Sequence, residues 1–250
     1  MKDSELKVLV KKSYGNIAKK GGSCCPTKGS CCGTAPPEEI SKGIGYSEEE
    51  MNAVPQGANL GLGCGNPIAL ASIKEGETVL DLGSGAGFDS FLAASRVGPT
   101  GKVIGVDMTP EMINRARENA AKGSYSNVHF RPGELEDLPV EDNSVDIIIS
   151  NCVINLVPDK EKAFKEAFRV LKPGGRLMVS DLVLRQELPL GIKNSIEGYV
   201  GCISGAVMKD VYLDAIRSAG FDEVAVIEES AFNGFADSVS SIKVRAIKPL

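Results

Sequence analysis

The segment Asp81-Leu82-Gly83-Ser84-Gly85-Ala86-Gly87 limits what this chain can fold into more than any other. Its three alternate glycines follow a short apolar run, Thr78–Leu82, and precede a helical stretch, Phe88–Val97. Glycine at such a place lets the backbone turn sharply from strand to helix and come close to a ligand. The spacing is Gly-x-Gly-x-Gly, not the Gly-x-Gly-x-x-Gly of nicotinamide binders. Asp107 lies twenty residues past Gly87, at the end of the next apolar run. A carboxylate there can accept hydrogen bonds from both hydroxyls of a ribose. A lone glycine turn is also a plain strand–helix connection. The acidic strand end makes a nucleotide-like cofactor the stronger reading.

The pattern around this turn repeats. Lys102–Val106, Val128–Arg131, Val145–Ser150 and Arg176–Val183 read as further strands. Helices are expected from Thr109-Pro110 to about Lys122 and over Asp159–Leu171, the latter with Ala163, Phe164, Ala167, Phe168 and Leu171 on one face. Lys172-Pro173-Gly174-Gly175 is a helix stop. A mostly helical stretch runs to Ala219, and residues 222–228 and 240–247 read as two last strands. Strands alternating with helices mean an α/β fold, a mostly parallel seven-stranded sheet with helices on both faces. Such sheets bind ligands at the carboxyl ends of their strands. The glycine turn, Asp107, Glu134 and Asn151-Cys152 are therefore expected along one edge.

Before residue 77 the signals are local. Residues 4–20 read as a helix and residues 21–37, rich in Gly, Ser, Pro, Thr and Cys, as a loop. Ser47-Glu48-Glu49-Glu50 is a capping box, and Asn66-Pro67 pairs a cap residue with proline at the first helical position. The division expected is 1–65, a helix and Cys-rich arm; 66–184, a cofactor-binding domain; and 185–250, a substrate-binding region that completes the sheet.

At 250 residues, 42% hydrophobic and 24% charged, the chain suits one domain with a packed core. A net charge of -5 argues against a nucleic-acid-binding body. No apolar run reaches the ~18 residues of a membrane span, and no secretory signal is seen, so a cytoplasmic protein with reduced thiols is expected. The lone histidine, His129, falls inside a strand and reads as structural, not as a base.

Seven cysteines, an odd number, exclude complete pairing within the chain. Cys24-Cys25 and Cys31-Cys32 form two doublets. They carry enough sulfur for tetrahedral zinc, but adjacent cysteines chelate one ion awkwardly and the usual Cys-x2-Cys spacing is missing, which favours a thiol arm. Cys152 directly follows the fourth strand, at the ligand edge. A small buried hydrophobe is the alternative for it. Cys64 and Cys202 sit among glycines, in Gly61-Leu62-Gly63-Cys64-Gly65 and Gly198-Tyr199-Val200-Gly201-Cys202. Glycine flanks let a loop bring sulfur close to a ligand.

Val79-Leu80-Asp81-Leu82-Gly83-Ser84-Gly85-Ala86-Gly87-Phe88, Gly105-Val106-Asp107-Met108 and Leu171-Lys172-Pro173-Gly174-Gly175 resemble the class I S-adenosylmethionine-dependent methyltransferases. That resemblance implies a Rossmann-like fold and a cofactor held by Asp81, Gly83, Ser84, Gly85, Gly87, Asp107, Met108, Glu134, Leu135 and Asn151. It places the methionine end at the turn, ribose at Asp107 and adenine near Gly133-Glu134-Leu135. Ser150-Asn151-Cys152-Val153-Ile154-Asn155-Leu156-Val157-Pro158-Asp159-Lys160, the Gly-Cys-Gly loop at Cys64 and Cys202 resemble the arsenite methyltransferases, from about Tyr14 to the last helix. This wider resemblance implies that Cys64, Cys152 and Cys202 bind trivalent arsenic (arsenite or methylarsenite). It also implies that a fourth cysteine, Cys32 with Cys31 as the alternative, joins redox steps served by a thiol reductant such as thioredoxin or glutathione. A monomer is expected. Two other readings remain: a methyltransferase of a small organic acceptor such as a quinone or sterol, and a non-catalytic As(III)-binding protein.

Overall fold

The computed structural model describes residues 3–20, 35–193, 195–232, 235 and 237–250. The doublet cysteines and residues 21–34 of the expected loop lie outside the described residues, and the loop's last expected residue, Pro37, instead opens a helix. Helix α1 spans Asp3–Lys20, followed by the short helices α2 (Pro37–Gly43), α3 (Glu48–Asn52) and α4 (Pro67–Leu70). The local signals hold. Ser47 Oγ accepts from Glu50 N while Glu50 accepts from Ser47 N, so the capping box is complete. Asn66 caps α4 by accepting from Ala69 N, and Pro67 opens it.

The regular part runs β1 (Thr78–Leu82), α5 (Phe88–Val97), β2 (Lys102–Asp107), α6 (Pro110–Lys122), β3 (Val128–Pro132), β4 (Val145–Asn151), α7 (Lys160–Val170) and β5 (Leu171–Leu184). It ends with α8 (Leu190–Lys193), α9 (Ile196–Val200), α10 (Lys209–Ser218), β6 (Asp222–Ala231) and β7 (Val239–Ile247). One seven-stranded sheet has the order β3-β2-β1-β4-β5-β7-β6. Its first five strands pair in parallel, and β7 inserts antiparallel between β5 and β6. The expected architecture is met.

One boundary differs. Lys172-Pro173-Gly174-Gly175 does not separate α7 from a later strand but lies within β5. Leu171 pairs with Val145, and Arg176 then pairs with Ile147, so the four residues form an irregularity between two registers. Proline and glycine end the helix as expected, but a bulged strand accommodates them without a loop.

The two faces of the sheet have separate cores. On one side Phe164, Ala167 and Val170 of α7 and Tyr212 and Ile216 of α10 pack on the sheet. On the other, Phe91 of α5 and Ile113 of α6 pack against Phe130, Ile147 and Ile149. Phe91 and Phe164 are fully buried, each worth about 1.5–3 kcal/mol relative to exposure. A third cluster lies past the carboxyl ends of β4 and β5. It joins Val10 of α1 with Leu182, Leu184, Val239 and the cysteines at 64, 152 and 202.

Candidate active site

Strand order reverses at β1 and β4, and a cleft opens there. It has a volume of about 1290 Å³, part of it open to solvent, and brings together the glycine turn, Asp107, Met108, Leu135, Asn151 and all three solitary cysteines.

Two buried carboxyls, Asp81 and Asp89, and the partly buried Asp107 line the cofactor end. Asp107 receives Gly85 N on Oδ2 (3.0 Å) and Thr109 N on Oδ1 (2.8 Å). Asp81 receives Ser90 Oγ at 2.6 Å, and Asp89 receives Tyr46 Oη at 2.6 Å and Asn151 Nδ2 at 3.3 Å. These donors are neutral, so burial dominates. It pushes Asp81 up to about 8 and Asp89 up to about 6, and raises Asp107 as well. Such a floor favours a cationic ligand, because a positive charge offsets the cost of ionising buried acids. The cradle is also open where a ligand must approach. A Cβ at Gly85 (φ 53°) would meet nothing nearer than Met112 Sδ at 4.0 Å. Ser84 Oγ, buried at the turn, has no hydrogen-bond partner among the described residues. A cationic, ribose-bearing cofactor fits these residues.

Helix α1 crosses the mouth of the cleft, a role that its weak apolar periodicity did not advertise. Lys7 pairs with Glu134 (2.7 Å) and Glu136 (2.9 Å), and Lys11 with Glu134 (3.0 Å). The bond from Lys7 holds the Glu134 carboxyl below its usual range. Leu135 and Glu136 line the cleft, whereas Glu134 faces α1. Tyr14 Oη donates to Val200 O at 3.1 Å and lies 4.0 Å from Cys202 Sγ. His129 is exposed on β3, away from the cleft.

The sulfur end is built by close backbone approach. Cys64 N donates to Asn151 Oδ1 (3.0 Å) and Cys64 Sγ points to Ser180 O (3.5 Å). A Cβ on Gly65 would stand 2.0 Å from Ser180 Oγ, so only glycine lets this loop reach the sheet. Cys152 N donates to Ser180 O at 2.7 Å, and Cys202 Sγ donates to Cys152 O at 2.9 Å. Cys152 (φ 59°) and Cys202 (φ 66°) adopt left-handed conformations that side chains other than glycine seldom take. Observed strain of this kind marks functional positions more often than packing positions.

All three thiols are free and buried. Contacts with the thiols of Cys202 and Cys64 push Cys152 far above the usual thiol range, and burial raises Cys64. Both shifts favour the neutral thiol at Cys64 and Cys152. Asp181 joins them, unforeseen from the sequence. Its carboxylate oxygen and the sulfurs of Cys64 and Cys152 all lie within 4.8 Å of one another. Tyr212 Oη donates to it at 3.0 Å, and burial pushes it up to about 7. The available signal was an acid inside the run Leu177–Leu184, apolar but for it and Ser180.

Comparison with known proteins agrees with this geometry. A family model described as a methyltransferase domain matches residues 73–220. The arsenite methyltransferase of Halobacterium salinarum is 47% identical over 89% of this chain and 59% of its own length. The human arsenite methyltransferase is 36% identical over 83% of the chain and 56% of its own length. The crystal structure of an arsenic(III) S-adenosylmethionine methyltransferase from Chlamydomonas reinhardtii superposes with a TM-score of 0.68 and 34% identity, covering 86% of this chain and 75% of that one. The chain belongs to the arsenite methyltransferase family. It spans about three fifths of the length of the curated arsenite methyltransferases named above. No helix among the described residues of this family member is long and apolar enough to cross a membrane.

Proposed function

We propose that the chain transfers the methyl group of S-adenosylmethionine to trivalent arsenic held by Cys64, Cys152 and Cys202, as a detoxification reaction. The observation that carries this is the convergence of three buried, unpaired thiols on the same cleft as the glycine turn and Asp107.

Arsenic(III) is soft and exchanges hydroxide for sulfur. Each thiol proton leaves with one displaced hydroxide as water, so neutral, buried thiols suit the exchange and no charge accumulates in the apolar cluster. Asp107 would hold the ribose hydroxyls of the cofactor, Asp81 and Asp89 would face its cationic methionine end, and Leu135 would lie against adenine. When bound, S-adenosylmethionine supplies an electrophilic methyl group, for which the lone pair left on a three-sulfur arsenic is the acceptor. No proton is removed from the acceptor atom, consistent with a histidine that lies outside the cleft. The chain's own contribution is orientation, worth up to ~7–11 kcal/mol in a well-aligned geometry. Tyr14, Val10 and Leu156 line the sulfur end and keep water from it.

Methylation formally oxidises arsenic from the trivalent to the pentavalent state. Two electrons from thiols return it, and we assign that supply to an external thiol reductant together with Cys32 or Cys31 of the arm.

Titration of the chain with As(III) tests the binding half of the proposal. Cys24, Cys25, Cys31 and Cys32 are replaced by serine so that only the buried set reports. One arsenic per chain and protection of all three remaining thiols from a thiol reagent are expected. Protection of none contradicts the proposal.

A further inference from the structure

The reaction proposed above leaves Asp181 without a task. Arsenic(III) with three sulfur ligands keeps a lone pair in its fourth position and has no use for a carboxylate. Yet Asp181 is completely buried on β5 beside the thiols. Its oxygens accept from neutral groups, Tyr212 Oη on Oδ2 at 3.0 Å and Leu182 N on Oδ1 at 3.2 Å, with the backbone N–H of Ile154 as a further donor. Three donors leave a carboxylate with one lone pair to spare.

One Asp181 oxygen and the sulfurs of Cys64 and Cys152 lie within 4.8 Å of one another. Cys202 lies next to this set but outside it, its thiol donating to Cys152 O at 2.9 Å. Two sulfurs and one carboxylate oxygen form a three-donor set of the kind tetrahedral zinc takes, and Cys202 is the neighbouring thiol that can turn into the fourth position. A zinc ion with bonds of about 2.3 Å to sulfur holds its sulfurs ~3.8 Å apart, so Cys64, Cys152 and Asp181 close on it by no more than about 1 Å.

We propose that this pocket also binds a thiophilic divalent cation of the Zn²⁺ or Cd²⁺ type, with Asp181 as the fourth ligand beside Cys64, Cys152 and Cys202, in competition with arsenic. Binding releases the thiol protons, and that of Asp181 where it is protonated, to solvent and changes no oxidation state. The resulting anionic cluster lies within the field of Lys160, whose ammonium acts on both Asp181 and Cys202. Asp181 is then what distinguishes the two occupants: it ligates the tetrahedral cation and is idle toward arsenic. The proposal rests on the donor set alone and stands or falls separately from methyl transfer.

Cd²⁺ is the probe, because thiolate-to-cadmium absorption in the ultraviolet reports its ligands. The test uses the full chain with serine at 24, 25, 31 and 32, and reads binding, not turnover. One Cd²⁺ per chain is expected, excluded by prior loading with As(III). Asp181→Asn should lower Cd²⁺ affinity about tenfold or more, the low end of what even an outer-shell partner contributes, and leave As(III) affinity within about twofold. Equal Cd²⁺ affinity in the variant overturns the proposal, and so does a parallel loss of As(III) affinity. If Asp181→Asn no longer binds S-adenosylmethionine and so does not fold, Asp181→Glu, displaced by one methylene, carries the same two criteria. A parent that binds Cd²⁺ but not As(III) refutes the arsenic reading and the competition with it, and leaves the cation site standing.

Discussion

Removal of the Asp107 carboxylate should separate cofactor binding from arsenic binding. Each of its oxygens already accepts one backbone N–H, from Gly85 and from Thr109. The Thr109 hydroxyl is a third donor to this carboxylate, and once it turns away one lone pair per oxygen is open to the two ribose hydroxyls. A hydrogen bond to a charged group contributes about 1.5–3 kcal/mol. Two of them at the low end give ~3 kcal/mol, and at about 1.4 kcal/mol per decade the loss is roughly two orders of magnitude in affinity. Asp107→Ala should thus weaken S-adenosylmethionine binding about a hundredfold, measured by calorimetry or by equilibrium dialysis of labelled cofactor. As(III) affinity should stay within about twofold, because Asp107 touches none of the thiols. Thermal unfolding of the apo variant controls for its fold. Cofactor affinity unchanged in a folded variant would refute the ribose assignment. Parallel loss of both ligands would mean that Asp107 acts by supporting the turn.

The other expectations address the sulfur end. Cys152→Ser or Cys202→Ser should abolish arsenic methylation while cofactor affinity stays within about twofold, read by dialysis and by arsenic speciation; loss of both would mark a structural role. Gly65→Ala should cost about 1–3 kcal/mol of stability through overpacking and weaken arsenic binding by displacing Cys64. Adding Ser180→Ala should recover much of that in denaturant unfolding, since Ser180 Oγ is the atom a Cβ at 65 would strike. For pH, burial raises Asp181 from an ordinary 3.8 to about 7, so the native state holds its proton longer than the unfolded chain. Its contribution to stability is complete below the ordinary value, declines as pH rises from there through about 7, and is flat above. Asp181→Asn should flatten that decline in melting temperature, and an unchanged profile would contradict the assignment.

Much of this could be read in the residues, because period and punctuation are local properties. The glycine turn and the caps at Ser47 and Asn66 depend on neighbours within a few residues, so the sequence carries them. Cys152 was readable at the ligand edge because the strand before it ends there. The convergence of Cys64 and Cys202 on it was not, since those contacts cross 87 residues of chain from Cys64 to Asn151 and 50 from Cys202 to Cys152 and no periodicity encodes them. The extension of β5 through Lys172–Gly175 is not legible in the sequence, because a bulge uses the same residues as a loop. The placement of α1 over the cleft depends on the Lys7, Lys11 and Glu134 pairing across more than a hundred positions. Asp181 is the clearest omission: a single acid in an apolar strand is a signal, but its partner Tyr212 and the sulfurs come from distant elements.

The central claim is that these three thiols present arsenic to a sulfonium methyl. The most direct measurement incubates the chain with methyl-labelled S-adenosylmethionine, As(III) and a thiol reductant, and follows the label by arsenic speciation. Labelled methylated arsenic, lost in Cys152→Ser, is the result predicted. Bound cofactor and bound arsenic with no label transferred would contradict the account.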